Sequence, residues 1–194
     1  MATDLILGSG SERRRKILSE LGISFRVVVP RVSEVFHLAD ARKTAAENCR
    51  RKMDWCRQRH PQCRIITADT VVQFQERCVL KPSTMDEAAE FLRMFSGKDH
   101  EVLTAVALAT PGCDPVVETV ESRVTFKRLS DEAVAEYLRQ VDPMDKAGAY
   151  NIDQASELII ERYSGSFTNI VGLPVETVSA WLRAGDQLSA RIAT

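Results

Sequence analysis

Residues 5–18 constrain the fold more than any other stretch of this chain. Leu5-Ile6-Leu7 is a short apolar run of the kind that forms a buried strand, and Gly8-Ser9-Gly10-Ser11 follows it with small residues that turn tightly. A helix opens near Ser11 with Arg13, Arg14 and Arg15 in its first turn. A strand that feeds a helix through so short a loop starts an α/β fold. The junction also leaves backbone N–H groups unpaired at the positive end of the helix dipole, a setting that holds phosphate. The arginines add planar donor forks. At about 100° per residue the three cannot all face the loop, so one or two are expected in solvent. The stretch is neither a P-loop, since no Gly-Lys-Ser/Thr follows, nor a Gly-x-Gly-x-x-Gly turn.

The 194 residues suffice for one domain, residues 1–194, or for two closely built lobes with a real core. With 26 Lys and Arg against 27 Asp and Glu, the net charge is −1, so no global basic field points to nucleic acid as a partner. Any recognition of phosphate must be local. The opening Met1-Ala2-Thr3-Asp4 has no basic or long apolar leader, and no apolar run approaches a membrane span. A cytoplasmic protein with no membrane partner is expected. Cys49, Cys56, Cys63, Cys78 and Cys113 include no Cys-x-x-Cys pair, which favours buried free thiols over a metal site or disulfide.

Along the chain, Gly22 suits the end of the first helix, and residues 25–29 read as a second strand closed by Pro30. Residues 31–36 form a loop, and a helix over residues 40–58 carries Ala45, Cys49, Met53 and Cys56 at helical spacing. Its opposite, basic face includes Arg50, Arg51 and Lys52. Ile65-Ile66-Thr67-Ala68 is a strand that leads into Asp69-Thr70-Val71-Val72. Residues 77–80 form a short strand, and Thr84-Met85-Asp86-Glu87 is a capping box that opens a helix closed by Gly97. Residues 102–108 and 117–126 are long strands with no helix between them, so they pair antiparallel. A helix over 131–140, a polar loop over 142–150, a strand over 158–163, a loop over 165–173 and a helix from Pro174 to about Ala184 complete the reading. The fold class is α/β with a mixed sheet.

Once surface charges are set aside, the Ser9–Arg13 loop, Glu34, Asp69 with Thr70, and Lys81 remain at strand ends or in loops, with Lys52 as a further candidate. A carboxylate between two β-branched runs, as at Asp69, is costly unless a cation holds it. Two carboxylates with several cations and a phosphate-cradling loop suit phosphoryl or nucleotidyl chemistry. His100 reads as structural, and His37 and His60 as surface residues.

Leu7-Gly8-Ser9-Gly10-Ser11-Glu12-Arg13-Arg14 resembles the amino-terminal Leu-Ala-Ser-x-Ser-Pro-Arg-Arg motif of the Maf family of nucleoside triphosphate pyrophosphatases. Ala68-Asp69-Thr70-Val71-Val72, Lys81-Pro82, Ser96-Gly97-Lys98-x-His100-x-Val102-x-Thr104, Asp145-Lys146-Ala147-Gly148-Ala149-Tyr150 and Gly165-Ser166-Phe167-x-Asn169-x-Val171-Gly172-Leu173-Pro174 resemble its other blocks, in the same order. The likeness implies a Maf/Ham1-like mixed sheet with flanking helices and a cleft between two lobes. It implies hydrolysis of a nucleoside triphosphate between its α and β phosphates, dependent on a divalent metal, Mg²⁺ or Mn²⁺. Asp69 falls on the general base and Glu34 on its partner acid, both as metal ligands. Ser9, Arg13, Arg14, Lys52 and Lys81 fall on phosphate-binding positions. The family also makes a homodimer plausible.

Within the resemblance, Arg13 and Thr70 match members that act on dTTP and UTP, while Asp153 stands where those members have Gln and where the 7-methyl-GTP group has an acid. Gln154 follows one place later. Asp153 or Gln154 is therefore expected to read the base, with dTTP and UTP the first reading and 7-methyl-GTP the alternative. A nucleotide-binding regulator of cell division without useful turnover is the rival from another class. Glu12 and Gly8 depart from the family's Pro and Ala.

Overall fold

The computed structural model describes residues 4–192, with side chains as far as residue 184. Strand β1 (Leu5–Gly8) leads through the small-residue turn into α1 (Glu12–Glu20), as the sequence requires. The short β2 (Arg26–Val27), the helix α2 (Ala41–Arg59), the long β3 (Arg64–Phe74) and β4 (Arg77–Val79) follow. Then come α3 (Met85–Phe95), the antiparallel pair β5 (Asp99–Ala109) and β6 (Val116–Phe126), and α4 (Asp131–Gln140). Strand β7 (Ile160–Ser164), the short α5 (Phe167–Val171) and α6 (Val175–Ile192) end the chain.

Seven strands form one mixed sheet in the order β2-β1-β3-β5-β6-β7, with β4 also on β3. Strand β1 is parallel to β2 and β3, and the remaining pairs are antiparallel. Both faces are covered, which is why Leu5-Ile6-Leu7 is apolar throughout rather than alternating. Leu5 and Leu7 join Leu18, Ile66, Phe95 and Phe126 on one face, and Ile6 joins Cys49, Met53 and Ile65 under α2 on the other. Each such side chain contributes about 1.5–3 kcal/mol through burial.

One feature of the sheet positions the site. Strand β1 pairs with β3 only as far as Gly8 opposite Thr67, and β4 joins β3 at Val72 opposite Val79. Residues 68–71 of β3 therefore border open space on that edge, while β5 pairs with them continuously on the other. The period-2 alternation turns Asp69 toward α2 and Thr70 toward the opposite face.

Several expectations need correction. The second strand spans two residues instead of 25–29, because only Arg26 and Val27 reach register with β1 at the sheet edge. The segment 165–173 is not all loop: Ser166 Oγ accepts from the Asn169 backbone N–H and caps α5. The strand expected over 158–163 starts at Ile160, behind a 3-10 turn at Ser156–Leu158. The last helix runs on to Ile192 instead of ending near Ala184. His37 and His60 do lie at the surface, each partly covered: His37 Nε2 lies 2.8 Å from Glu47 Oε2, and His60 Nδ1 3.3 Å from Arg26 Nη2. Cys49, Cys56 and Cys78 are buried free thiols as expected, but Cys63 is half-buried and Cys113 exposed.

Candidate active site

The open edge of β3 is the floor of a cleft of about 600 Å³. The turn between β1 and α1 supplies Ser9, Gly10 and Ser11 to its lining, and the first turn of α1 supplies Arg13 and Arg14. The loop before α2 supplies Glu34 and Phe36, α2 supplies Lys52, β3 supplies Asp69 and Thr70, and the segment after β4 supplies Lys81. Asp145, Lys146, Tyr150, Asn151 and Ile152 line it from the segment before β7. Ser9, Arg13, Arg14, Glu34, Lys52, Asp69, Thr70 and Lys81 are thus brought together from six separate segments. Asp153 and Gln154 are not among the lining residues: both are exposed, and Gln154 Nε2 donates to the Gln140 carbonyl at 3.2 Å.

Lys52 sits at the centre. Its Nζ lies 2.6 Å from Asp69 Oδ1 and 2.7 Å from Glu34 Oε1, and its side chain is only 13% exposed. This overturns its placement on the solvated face of α2. Asn48, one helical turn earlier on the same face, donates from Nδ2 to Asp69 Oδ2 at 3.4 Å and from Nδ2 to the Val35 carbonyl at 3.0 Å. It also accepts the Val35 N–H at Oδ1 and so holds the Glu34 loop against α2. Burial pushes the Asp69 carboxyl above its ordinary value, against the pull of the Lys52 and Arg14 charges. Burial opposes the charge on Glu34 too, but there the Lys52 hydrogen bond and charge prevail and its carboxyl lies below the ordinary value.

The arginines divide as helix geometry demands. Arg14 points inward, and Arg15 is exposed and paired with Glu12, an exposed acid at the cleft margin. Arg13 reaches across to the far wall, where Nη2 lies 3.5 Å from the Asp145 carbonyl and 3.8 Å from its carboxylate. Ser11 caps α1 by accepting the Arg14 N–H at Oγ, and Ser9 Oγ accepts the Ser11 N–H at 3.2 Å. Lys81 is exposed at the cleft edge.

The far wall depends on an unusual backbone. Gly148 and Ala149 both take left-handed φ values, 73° and 63°, in a 3-10 turn inside the segment read as plain loop. A Cβ at Gly148 would stand 3.2 Å from Phe95, a tight approach, and the left-handed φ is what favours glycine there. This turn places Lys146, Tyr150 and Asn151 on the cleft. Asn48, Asp145, Lys146 and Asn151 were missed as site residues; Asn48 carried a signal in its spacing of four from Lys52, and Asp145 and Lys146 in the block that resembles the family.

Among the described residues no three His, Cys, Asp or Glu side chains gather as a ready-made cage for a metal ion. Glu34 and Asp69 still suit an ion such as Mg²⁺, which is commonly held by one or two carboxylates together with substrate phosphates. Each meets Lys52 through one oxygen and keeps a second.

A mixed sheet with an open-edged strand, a helix N-terminus and a carboxylate–lysine–carboxylate cluster define an α/β protein built to handle a phosphorylated ligand. The family model for Maf-like proteins matches residues 4–185, and the chain belongs to that family. It is 38% identical over 173 residues to the dTTP/UTP pyrophosphatase of Geobacillus sp. (strain WCH70), covering 88% of this chain and 92% of the relative. It is 39% identical over 183 residues to the dTTP/UTP pyrophosphatase of Deinococcus radiodurans, covering 94% and 93%. The Ham1 protein of Staphylococcus aureus shares the fold, with a TM-score of 0.55 at 11% identity over 94% of this chain and 100% of that one.

Proposed function

We propose that this protein is a nucleoside triphosphate pyrophosphatase that hydrolyses dTTP, UTP and related pyrimidine triphosphates to the monophosphate and pyrophosphate. The observation that carries this reading is the cluster of Asp69, Lys52 and Glu34 set across the cleft from the first turn of α1. The names of the relatives support the substrate class.

In this reading the triphosphate lies against the Ser9–Ser11 turn, whose N–H groups and helix dipole attract it. Arg13, Lys52 and Lys81 neutralise charge on the phosphate oxygens as it develops. Asp69 accepts a proton from water as the water oxygen bonds to phosphorus, and the bridging oxygen between the α and β phosphates leaves with pyrophosphate. Glu34 and Asp69 would hold a divalent ion, Mg²⁺ or Mn²⁺, which when bound draws charge from the phosphates and lowers the pKa of bound water. Burial helps Asp69 as a base, since a carboxylate lifted above its ordinary value takes a proton more readily.

Incubation with a panel of nucleoside triphosphates, 7-methyl-GTP included, and Mg²⁺ or Mn²⁺ tests the reading. Pyrophosphate release that is fastest with dTTP and UTP is the expected result. Orthophosphate as the first product, or no turnover, would overturn it. Preference for 7-methyl-GTP would keep the chemistry and change the base.

A further inference from the structure

We propose that Lys52 is a placeholder for the metal ion, which it must vacate before the ion can bind and which it leaves for a phosphate oxygen of the substrate. The inference rests on the reading of Glu34 and Asp69 as ion ligands. Two carboxylates that share a partly enclosed site repel each other, and one cannot stay ionised cheaply without a cation between them. Lys52 supplies that cation: one ammonium with three donors stands 2.6 Å from Asp69 Oδ1 and 2.7 Å from Glu34 Oε1. Asn48 fixes the backbone that carries Glu34 and touches Asp69, so the carboxylates are held together from both sides.

Lys52 Nζ already neutralises both carboxylates, and an ammonium and a divalent cation drawn to the same pair of acids repel each other. The two therefore compete. The flexible four-carbon stem of lysine lets Nζ turn toward the cleft that it already lines, where a triphosphate offers anionic oxygens. The ion thus binds weakly alone and tightly with substrate, because substrate gives Lys52 a replacement partner. Lys52 is a positioning residue for the carboxylates before substrate arrives and a phosphate ligand afterwards.

Binding of Mn²⁺ alone, followed by the electron paramagnetic resonance signal of the free ion, tests this without turnover. Lys52→Met, close in length and uncharged, should bind Mn²⁺ on the order of tenfold more tightly than the unmodified protein. Lys52→Gln serves as a second variant should the first fail to fold. Both should melt at lower temperature than the unmodified protein in chelator and regain that loss on addition of Mn²⁺. Glu34→Gln should weaken Mn²⁺ binding. Unchanged or weaker binding in both lysine variants, with the loss in Glu34→Gln retained, overturns the placeholder alone. Absence of Mn²⁺ binding in all the proteins overturns the ion-ligand reading with it.

A separate observation on the opposite wall assigns the base-reading role. We infer that Asn151, not Asp153 or Gln154, meets the edge of the base. Among the described lining residues it carries the one carboxamide, and that amide makes no hydrogen bond with another described residue. Its backbone is fixed by Tyr137, whose hydroxyl lies 2.7 Å from the Asn151 nitrogen and 3.3 Å from its carbonyl oxygen. A carboxamide donates and accepts side by side, which matches the adjacent N–H and C=O of a uracil or thymine edge. This too rests on the proposed pyrimidine activity. Asn151→Ala should lower kcat/KM for UTP on the order of tenfold, mainly through KM, and leave inhibition by inorganic tripolyphosphate unchanged. An unchanged KM for UTP, or an equal loss in tripolyphosphate inhibition, overturns the assignment. A parent protein that turns over no pyrimidine triphosphate would instead remove the activity on which it rests.

Discussion

Arg14 Nη2 donates to Thr70 Oγ1 at 3.0 Å and so ties the first turn of α1 to the residue beside Asp69. The same guanidinium donates from Nε to the Gly172 carbonyl at 2.8 Å and from Nη1 to Ser9 Oγ at 3.2 Å. Thr70 Oγ1 in turn lies 2.9 Å from Thr104 Oγ1, which donates to the Asn169 carbonyl. One planar fork therefore holds the phosphate turn, the floor strand and the α5 segment at fixed separation.

Arg14→Lys tests that strut, because lysine keeps the charge and loses the fork. Urea unfolding should show a loss of about 1–3 kcal/mol, the cost of leaving buried acceptors poorly paired. Turnover should fall as well, with kcat affected more than KM, since Ser9 and Thr70 would shift relative to Asp69. Unchanged stability would show that the three contacts do not act as a strut.

Asp69→Asn isolates proton acceptance from shape. The amide is close in size and keeps a polar group facing Asn48, while Lys52 keeps Glu34 as a partner. Pyrophosphate release should drop by roughly 10²–10⁴, the contribution usual for a general base. The circular dichroism spectrum should be unchanged. Turnover within about threefold of the parent would remove Asp69 from the base role.

His100 sets a pH dependence of stability rather than of turnover. It is buried between Phe95, with ring centroids 4.3 Å apart, and Tyr150, whose hydroxyl lies 2.8 Å from Nε2. Burial pushes its pKa down from 6.5 to about 3, with the Asp99 charge acting weakly the other way. Between those values the unfolded chain binds a proton that the folded protein refuses. Stability from this group is complete above the unfolded value and is lost as pH falls toward the folded one, at up to about 1.4 kcal/mol per pH unit. His100→Gln keeps a hydrogen-bonding group and does not titrate. Urea unfolding at pH 7, 5.5 and 4.5 should show a shallower decline for the variant. Parallel declines would mean that His100 is not held neutral.

How far the site was legible can be read from Asp69 and Lys52. The cost of a carboxylate in an apolar strand marked Asp69 from sequence, because that argument needs only its neighbours in the chain. The cation that compensates it lies 17 residues away on another element, and nothing local distinguishes Lys52 from the solvated Arg50 and Arg51 beside it. The β1–α1 junction, the β5–β6 pair and the capped helices α3 and α4 were legible for the same reason: caps, turns and periodicity are local signals. The gap between β1 and β4 along β3, which opens the cleft, is a matter of register between distant strands. So is the wall that presents Asn151 instead of Asp153, since its path depends on left-handed backbone at Gly148 and Ala149.

Gly8 offers a last test, one that concerns how this chain accommodates its own departures from the family motif, which has alanine there. A Cβ on Gly8 would stand 2.7 Å from Thr67 Cγ2 and 2.8 Å from Cys56 Sγ, closer than such atoms pack. Cys56 projects from α2 into the space that an alanine methyl would fill, so the two positions form a complementary pair. Gly8→Ala should cost about 1–3 kcal/mol through overpacking. Cys56→Ala alone should also cost stability, by leaving a void. Combined, the two should cost less than their sum by about 0.5–3 kcal/mol, because the removed sulfur makes room for the added methyl, while Thr67 still presses on it. Urea unfolding of the four proteins measures this coupling. Strict additivity would mean that the sheet yields at Gly8 without regard to Cys56, and that the small residue at the end of β1 is not set by its neighbour on α2.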